Sequence, residues 1–298
     1  MSTKKILITG SSGQVGTALK SIELPDFTEC LYATRSICDI TDRTSLEKIK
    51  ESFNPDYIVN CAAYTAVDRA EEDEKETFLV NADALKLIAD TFAEAKIIHL
   101  SSDYVYHALQ GPAIKESDDT LPQGIYAQSK LDGEKILRAS HMASLIIRTS
   151  WVYHHSGHNF VKTILRLGDV KEELTIVDDQ RGSPTYATDI ADLIMLIIRK
   201  DIQGEITEEQ WNDTYNFSNL GKITWYELAV AIKEISGFKA RLTPVSTAFY
   251  GSPAPRPPYS VLDMSKVVDT FGVSVTPWLT SLDRCYKEIQ KIHSTDNN

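Results

Sequence analysis

The sequence predicts an α/β protein: a Rossmann-type, doubly wound parallel sheet followed by a smaller C-terminal lobe. Short apolar strand patterns alternate with helical patterns as far as about residue 150, which indicates right-handed βαβ crossovers in a parallel sheet. A glycine-rich turn directly follows the first strand pattern. After residue 150 the pattern becomes shorter and more irregular. We therefore expect 1–150, joined by segments from about 174–220, to form the sheet domain, and 151–298 to form mainly the lobe.

Composition limits the possible partners. The chain of 298 residues has a net charge of −11 and a pI near 5.1, which argues against nucleic-acid and anionic-membrane partners because both attract basic surfaces. No apolar run approaches the ~20 residues of a membrane span. The N-terminal sequence leads into a strand pattern without a secretory signal, and the four cysteines lack a CxxC spacing. We therefore expect a cytoplasmic protein with reduced thiols.

The first strand, 4–9, leads into the segment Gly10–Gly16 and then into a helix. Strand, glycine turn and helix together predict a dinucleotide site: Gly10 permits the turn, Gly13 admits a pyrophosphate, and Gly16 lets helix and strand pack closely. The N-terminus of the helix that follows offers N–H donors and a positive dipole end to phosphates. The spacing is GxxGxxG, so its position after the first strand gives the motif most of its weight.

The second strand, about 29–33, ends close to Arg35. An arginine there can bind a 2′-phosphate and favour NADP, or it can be a solvated surface residue, and both interpretations stay open. The segment 39–42 has the pattern of a helix N-cap, and Asp39 and Ile40 can also reach an adenine.

The third strand, 57–60, leads into small residues that let a cofactor lie against the backbone. A helix is predicted over 75–95 and a fourth strand over 97–100. Ligands gather at the carboxyl ends of parallel strands, so Ser102 can meet a substrate there, or Ser101 to Asp103 can simply cap a turn. In the segment after the third strand, the residues expected beside the cofactor are Ala62, Ala63 and Tyr64.

Tyr126 and Lys130 lie four residues apart, on one face of a predicted helix. A free tyrosine has a pKa of roughly 10. A neighbouring ammonium stabilises the phenolate and brings the phenol closer to a working pH. The pair is also compatible with an ordinary amphipathic helix, and the rest of the chain has to decide between the two.

The remaining patterns describe the second half of the chain. A strand is predicted at 145–148, and the His154, His155 and His158 run is interpreted as a solvated or substrate-facing loop rather than a metal site. A further strand is expected at 174–177 and another at 215–217. Helices are expected over 188–199, with Thr188 and Asp189 as its cap, and over 224–236 and 278–291. The acidic segment 201–213 is expected to be exposed, and the proline-rich segment 253–258 forms a linker or a rigid loop in which Arg256 can clamp a phosphate.

Several segments, in one order along nearly the whole chain, resemble the dTDP-4-dehydrorhamnose reductase family of the extended short-chain dehydrogenase/reductase superfamily. The glycine turn, Ser102 and the Tyr126-xxx-Lys130 pair are similar to the general pattern of the superfamily. The more specific segments are 60–68, 101–106, 148–153, 159–160, 179–185 and 253–263.

The resemblance implies an NAD(P)-binding domain, a substrate-binding lobe and reduction of a 4-keto sugar nucleotide with NADPH, or alternatively NADH. It implies that Tyr126 is the general acid, that Lys130 lowers its pKa and holds the nicotinamide ribose, and that Ser102 hydrogen-bonds the carbonyl. The resemblance also implies which residues contact the substrate and the cofactor. The implied substrate contacts are Asp103 and Trp151, to which we add Tyr104 and Arg256. The implied cofactor contacts are Gly13, Gln14, Val15, Asp39, Ile40, Ala62, Ala63 and Tyr64.

The chain departs from the family pattern at a few positions. His107 and its neighbours replace a glycine-containing turn, and His154–His155 replace small residues. Some members dimerise around Mg²⁺ held by glutamates, but Ala18 stands at one such place, so we expect no Mg²⁺ and either a monomer or a homodimer. The alternatives are another nucleotide-sugar reductase or epimerase, and a non-catalytic NADP-binding regulatory subunit like the methionine adenosyltransferase β-subunit. A 4,6-dehydratase is disfavoured because Tyr104 stands where an acid is needed.

Overall fold

Strands and helices alternate along the chain in the structure, a computed structural model that describes residues 3–108 and 110–296. The strands are β1 (Lys4–Thr9), β2 (Thr28–Ala33), β3 (Tyr57–Asn60), β4 (Lys96–Ser102), β5 (Ser144–Thr149), β6 (Val152–Tyr153), β7 (Glu173–Val177), β8 (Arg181–Gly182), β9 (Thr185–Tyr186), β10 (Thr214–Asn216), β11 (Ile223–Thr224), β12 (Arg241–Val245) and β13 (Tyr259–Ser260). The helices are α1 (Gln14–Leu19), α2 (Arg43–Ser52), α3 (Val67–Ala70), α4 (Glu74–Phe78), α5 (Ala84–Thr91), α6 (Gly124–Ala139), α7 (Phe160–Val170), α8 (Ala187–Ile202), α9 (Glu208–Trp211), α10 (Trp225–Ser236), α11 (Thr247–Tyr250), α12 (Ser265–Phe271) and α13 (Trp278–Asp296).

A six-stranded sheet in the order β10-β5-β4-β3-β1-β2 forms the centre of the fold, and its pairings are all parallel. The chain steps from β1 to β2 on one side and from β3 through β4 and β5 to β10 on the other. The reversal between β1 and β3 is the switch point of a doubly wound sheet, where ligands bind at the carboxyl ends of the strands. The predicted fold class is confirmed.

Alternation along β1 explains why both faces of the sheet are covered. Ile6 and Ile8 point to one face and pack against α1 and α8, whereas Leu7 points to the other face, which α2 and α5 cover. All three side chains are fully buried. A strand that is buried on both faces has a continuous run of apolar residues, and such runs predict the strands of this sheet from the sequence.

The second lobe is built from short sheets: β11-β8-β13, β12-β7 and β6-β9. Helices α7, α10 and α13 share an apolar cluster with these strands. Of the segments between about 174 and 220, α8 packs on α1 and β10 joins the main sheet, whereas β7 pairs with β12 outside it. The proposed division near residue 150 stays a prediction.

The side chain of Asp201, at the end of α8, is buried, so the expectation that 201–213 is exposed is wrong for this carboxylate. Its side chain is 5% exposed and accepts hydrogen bonds from Tyr57 Oη (2.6 Å), Lys96 Nζ (2.7 Å) and Trp211 Nε1 (2.5 Å). Trp211 itself belongs to α9 within the same segment and is 1% exposed. These donors come from β3, β4 and α9, and such long-range partners leave no local pattern in the sequence.

The predicted cap at Thr188 and Asp189 is also wrong. Helix α8 starts at Ala187, one residue earlier, and Tyr186 precedes it without a side-chain cap. The Asp189 carboxylate instead faces inward and accepts from Asn219 Nδ2 at 2.7 Å. It also pairs with Arg284 of α13 at 2.5 Å, and so it ties the C-terminal helix to the sheet domain.

Candidate active site

The turn between β1 and α1 leaves its backbone open to a cleft. Gly10 has φ +62°, and a Cβ on it would lie 2.5 Å from the Ala62 nitrogen. A Cβ on Gly16 would lie 2.5 Å from the Gly10 carbonyl oxygen, so this position needs glycine for α1 to pack against the turn. Gly10 and Gly16 therefore have the packing that the sequence predicts, and the role of Gly13 stays a prediction.

One end of the cleft has a volume of about 340 Å³ and lies over the carboxyl ends of β1, β2 and β3. It collects residues that the sequence analysis assigned to the cofactor from widely separated segments. They are Gly10, Gly13, Arg35, Asp39, Ile40, Ala62, Ala63 and Tyr64.

Arg35 stands at the mouth of this end with its side chain 68% exposed. Its guanidinium contacts Asp39 Oδ2 at 3.1 Å and Glu76 Oε1 at 3.4 Å. Asp39 in turn accepts from Thr41 N at 2.9 Å, and the neighbouring carboxylate raises the pKa of Arg35. The N-cap of α2 is Asp42, whose carboxylate accepts a hydrogen bond from the Thr44 backbone N–H. Asp39 therefore does not cap this helix, and it lines the cleft.

Asn81 fixes the wall of small residues after β3. It sits in a π-helical segment, Leu79–Asp83, that interrupts the helix predicted over 75–95. Its amide accepts from Tyr64 N (2.8 Å), and donates to Tyr64 O (3.1 Å) and to Ser129 Oγ of α6 (3.0 Å). π-segments are frequent at functional sites. Here the segment joins this wall of the cleft to the helix that carries Tyr126.

The other end of the cleft has a volume of about 450 Å³ and is continuous with the first through Ser12, Gly13, Cys61 and Ala63. It brings together residues from the ends of β1, β4 and β5 and from α6. The predicted residues found here are Gln14, Val15, Ser102, Asp103, Tyr104, Tyr126, Lys130 and Trp151.

Ser102 and Tyr126 meet in this part of the cleft. Ser102 ends β4, donates to Asp103 Oδ1 at 3.0 Å and accepts from Tyr104 N at 3.2 Å. The rings of Tyr104 and Tyr126 pack edge to face at 5.4 Å. Burial raises the pKa of Tyr126 to about 12, and a hydrogen bond with Ser102 opposes the rise. The phenol is therefore protonated at neutral pH.

Lys130 is 2% exposed, and its side-chain nitrogen contacts β4 of the sheet. Nζ donates to Leu100 O at 2.7 Å and lies 3.4 Å from His99 Nε2. Burial lowers the pKa of Lys130 to about 8. Lys130 is not among the groups that shift the pKa of Tyr126, so the geometry gives no support to the expectation that Lys130 lowers it. The helical spacing fixes the shared face, but the hydrogen bond to the Leu100 carbonyl decides where the flexible side chain ends.

Asp103 is 2% exposed beside Ser102. Burial raises the pKa of its carboxyl group to about 7, against the hydrogen bonds from Ser260 and Ser102. A carboxyl group with this pKa changes charge near physiological pH, in the same cavity as Tyr126.

Two predicted substrate residues lie toward the second lobe. Trp151, with φ +47°, stacks on Trp225 at 3.6 Å and a 10° interplanar angle. Arg256 lines an adjoining cavity of about 520 Å³, not the one that holds Tyr126. Its guanidinium makes a two-pronged ion pair with Asp68 at 2.9 and 2.8 Å, so it is already bound to a carboxylate. The proline-rich segment is thus a loop anchored to the sheet domain.

Sequence reasoning missed several residues of the site. His99 was seen only as part of a strand, although a histidine inside an apolar run is itself a signal for a buried polar contact. Thr149 also lines the cavity of Tyr126, and so does His158, from the histidine run that the sequence interprets as a solvated or substrate-facing loop. Trp225 lies in the helix predicted over 224–236, and no sequence signal indicates its stacking on Trp151.

The cleft fits a dinucleotide. The glycine turn provides a cradle that side chains would fill, and Arg35 lies at the end where a 2′-phosphate is expected. Some buried oxygens of the cleft, among them Gln14 Oε1 and Thr149 Oγ1, have no hydrogen-bond partner in the described part of the chain. No group of three or more potential metal ligands occurs among the described residues, and none of their helices is long and apolar enough to cross a membrane.

Comparisons with known proteins agree with this architecture. The profile of the RmlD substrate binding domain family matches residues 4–291. The spore coat polysaccharide biosynthesis protein SpsK of Bacillus subtilis is 35% identical over 95% of this chain and 97% of its own length. A dTDP-4-dehydrorhamnose reductase of Sinorhizobium fredii is 36% identical over 94% and 96%. The crystal structure of dTDP-4-dehydrorhamnose reductase from Bacillus anthracis in complex with NADP superposes with a TM-score of 0.87 at 33% identity, covering 97% of this chain and 100% of that one.

Proposed function

Because the chain belongs to the RmlD substrate binding domain family, we propose that it reduces the 4-keto group of dTDP-4-dehydro-L-rhamnose to give dTDP-L-rhamnose, the last step of dTDP-rhamnose synthesis. One observation of the structure carries the proposal. A single cleft joins a glycine cradle to the Ser102, Tyr126 and Lys130 set, so a dinucleotide held by the cradle reaches the proton donor.

Tyr126, Ser102 and Lys130 have separate roles in the proposed reaction. When bound, the nicotinamide cofactor supplies the hydride. Tyr126, kept protonated by its raised pKa, donates a proton to the oxygen that becomes the new hydroxyl. Ser102 donates a hydrogen bond to the same oxygen and stabilises the charge that develops on it. Lys130 would hold the cofactor ribose, and its nitrogen donates to Leu100 O.

NADPH is the cofactor that the site supports best, with NADH as the alternative. Arg35 supplies an exposed guanidinium at the adenosine end of the cleft, where it can bind a 2′-phosphate. The similar reductase from Bacillus anthracis was crystallised with NADP. The cradle residues Gly10, Gly13 and Gly16 and the first turn of α1 would hold the pyrophosphate.

The sugar nucleotide is assigned to the side of the cleft that faces the second lobe. Asp103, Tyr104 and Trp151 lie beside Tyr126 and would contact the sugar. Arg256, in the adjoining cavity, would contact the diphosphate. We place the protein in the cytoplasm as a monomer or homodimer, and the free state of all four cysteines fits a reducing compartment.

The test is a spectrophotometric assay of the purified protein with NADPH and dTDP-4-dehydro-L-rhamnose. We expect loss of the nicotinamide absorbance band, with dTDP-L-rhamnose as product by mass spectrometry. NADH and the corresponding uridine-nucleotide sugar serve as parallel substrates. Tight NADPH binding without turnover of any 4-keto sugar nucleotide would refute the proposal and favour a regulatory cofactor-binding role.

A further inference from the structure

A row of buried polar side chains crosses three strands of the main sheet and ends at Lys130. Thr9 Oγ1 lies 2.6 Å from Asn60 Oδ1, Asn60 Nδ2 lies 3.0 Å from His99 Nδ1, and His99 Nε2 lies 3.4 Å from Lys130 Nζ. None of the four residues is more than 2% exposed. A buried polar chain of this kind has to satisfy its own donors and acceptors, because solvent does not reach it.

The hydrogen bonds of this chain run in one direction. The Thr9 hydroxyl donates to Asn60 Oδ1, so the amide nitrogen of Asn60 donates to His99 Nδ1. A neutral imidazole that accepts at Nδ1 carries its proton on Nε2. The N–H of His99 therefore points at Lys130 Nζ. An ammonium group has only donors, whereas a neutral amine has a lone pair that can accept this N–H.

We propose that His99 is a positioning residue for Lys130: the Thr9–Asn60–His99 chain presents an N–H to the lysine nitrogen and favours its neutral form in the free protein. The neutral amine donates to Leu100 O and accepts from His99 Nε2. The catalytic meaning of this arrangement rests on the proposed function. Lys130 takes up a proton when an anionic dinucleotide binds beside it, so cofactor binding and protonation of the site are linked.

The other groups that face Lys130 leave it without an ion pair. Glu134, one turn further along α6, is engaged by Arg148 at 2.6 Å. Cys61, at the end of β3, is a neutral thiol because burial raises its pKa to about 12. Tyr126, one turn earlier on α6, is a neutral phenol for the same reason. No salt bridge of Lys130 occurs in the described part of the chain.

Burial favours the neutral form of Lys130, as the Thr9–Asn60–His99 hydrogen bonds do. It lowers the pKa of Lys130 to about 8 and is opposed mainly by the charge of Glu134. It also lowers the pKa of His99 well below its usual range, together with the charge of Lys130, so the imidazole is neutral at physiological pH. A neutral His99 is the condition for the one-way arrangement.

The tautomer of His99 is measured directly by ¹⁵N NMR of the imidazole rings in the free, full-length protein. We expect Nδ1 to be unprotonated and Nε2 to carry the proton. The His99→Gln variant identifies the signal, and His141→Gln, at an exposed histidine, is the matched control. A proton on Nδ1, or an imidazolium, would overturn the inference.

Two substitutions should replace the N–H that His99 directs at Lys130 Nζ with a hydrogen-bond acceptor. His99→Gln can place a carbonyl oxygen where Nε2–H now stands. Asn60→Asp can only accept, which moves the His99 proton to Nδ1 and turns Nε2 into an acceptor. Either change should raise the pKa of Lys130 by about one unit, a tenfold gain in proton affinity. If one variant does not fold, the other still tests the chain.

The readout is proton uptake on binding of NADP⁺, measured by calorimetry in buffers of different ionisation enthalpy. Between about pH 8 and 9 the wild-type amine is mostly neutral and should take up a proton on binding, since its pKa is about 8. Uptake in this range should fall in both variants and stay unchanged in His141→Gln. Equal uptake in wild type and both variants would refute the inference.

These measurements need no sugar nucleotide, so the two proposals fail separately. A protein that shows the predicted tautomer and proton uptake but reduces no 4-keto sugar nucleotide would refute the proposed function alone. A protein that reduces the sugar with the opposite His99 tautomer would refute the inference alone.

Discussion

The buried ion pair behind the active site offers a prediction whose size follows from its geometry. Arg148 of β5 contacts Glu134 of α6 through Nε at 3.0 Å and Nη2 at 2.6 Å, and its Nη1 donates to Tyr106 Oη. The two charged side chains are 8% and 4% exposed. Arg148→Met removes the guanidinium at similar length. It leaves the Glu134 carboxylate buried, with the Ser101 hydroxyl as its remaining donor.

Breaking a buried pair by removing one partner costs about 3–5 kcal/mol, because the other charge stays desolvated. We expect Arg148→Met to destabilise the protein by this amount. The double variant Arg148→Met/Glu134→Leu removes both charges and should cost less than Arg148→Met alone. The exposed pair of Arg241 and Glu173, 74% and 39% exposed, is the matched control, and Arg241→Met should cost less than about 1 kcal/mol.

The assay is urea unfolding followed by circular dichroism, with free energies of unfolding compared at constant slope. A loss below about 1 kcal/mol for Arg148→Met would contradict the reasoning, because the carboxylate would then be solvated or neutral at no cost. A double variant that costs the sum of the two single changes would contradict it as well, since the two charges would then act independently.

Three further predictions concern the cleft. Tyr126→Phe should lose most turnover and keep its cofactor affinity, because the phenol is the proton donor; Tyr286→Phe on α13 is the control, and near-normal turnover in Tyr126→Phe would remove Tyr126 from this role. Arg35→Ala should weaken NADPH binding about tenfold and leave NADH binding unchanged, as measured by nicotinamide fluorescence; equal losses would mean that Arg35 does not contact the 2′-phosphate. Asp103 has a raised pKa of about 7, so its carboxyl group is neutral below that pH and anionic above it. KM for the anionic substrate should therefore rise above pH 7 in wild type but not in Asp103→Asn. Parallel pH profiles of KM in the two proteins would exclude Asp103 as the titrating group.

The sheet domain could be predicted from the sequence because its signals are local. Buried parallel strands are continuous apolar runs, and the glycine spacing reflects contacts within one turn. Predicted strands at 4–9 and 57–60 agree with β1 and β3 to the residue. Cleft residues such as Gly10, Ala62 and Ser102 could be predicted to lie together for the same reason, since each stands at or just after the end of a strand and the carboxyl ends of parallel strands share one edge.

Other features depend on contacts between distant segments, and the sequence carries no local signal for them. Asp201 is buried because three donors from elsewhere in the fold converge on it. The helical spacing of Tyr126 and Lys130 shows that they share a face, but the direction of the lysine is decided by Leu100 O on a neighbouring strand. His99 acquires its role only when β3 and β4 are placed side by side.

If Arg256 contacts the diphosphate as proposed, its ion pair with Asp68 makes a charge of the substrate compete with a charge of the protein. The loop that carries Arg256 is held on the sheet domain by this pair and by a hydrogen bond from Ala254 N to Asp68 Oδ1. A diphosphate would then gain the guanidinium only by displacing Asp68, so the aspartate carboxylate would act as a mimic of the ligand. A singly charged anion would offer one charge fewer against the displaced contacts, and the loop would discriminate between ligands by their charge.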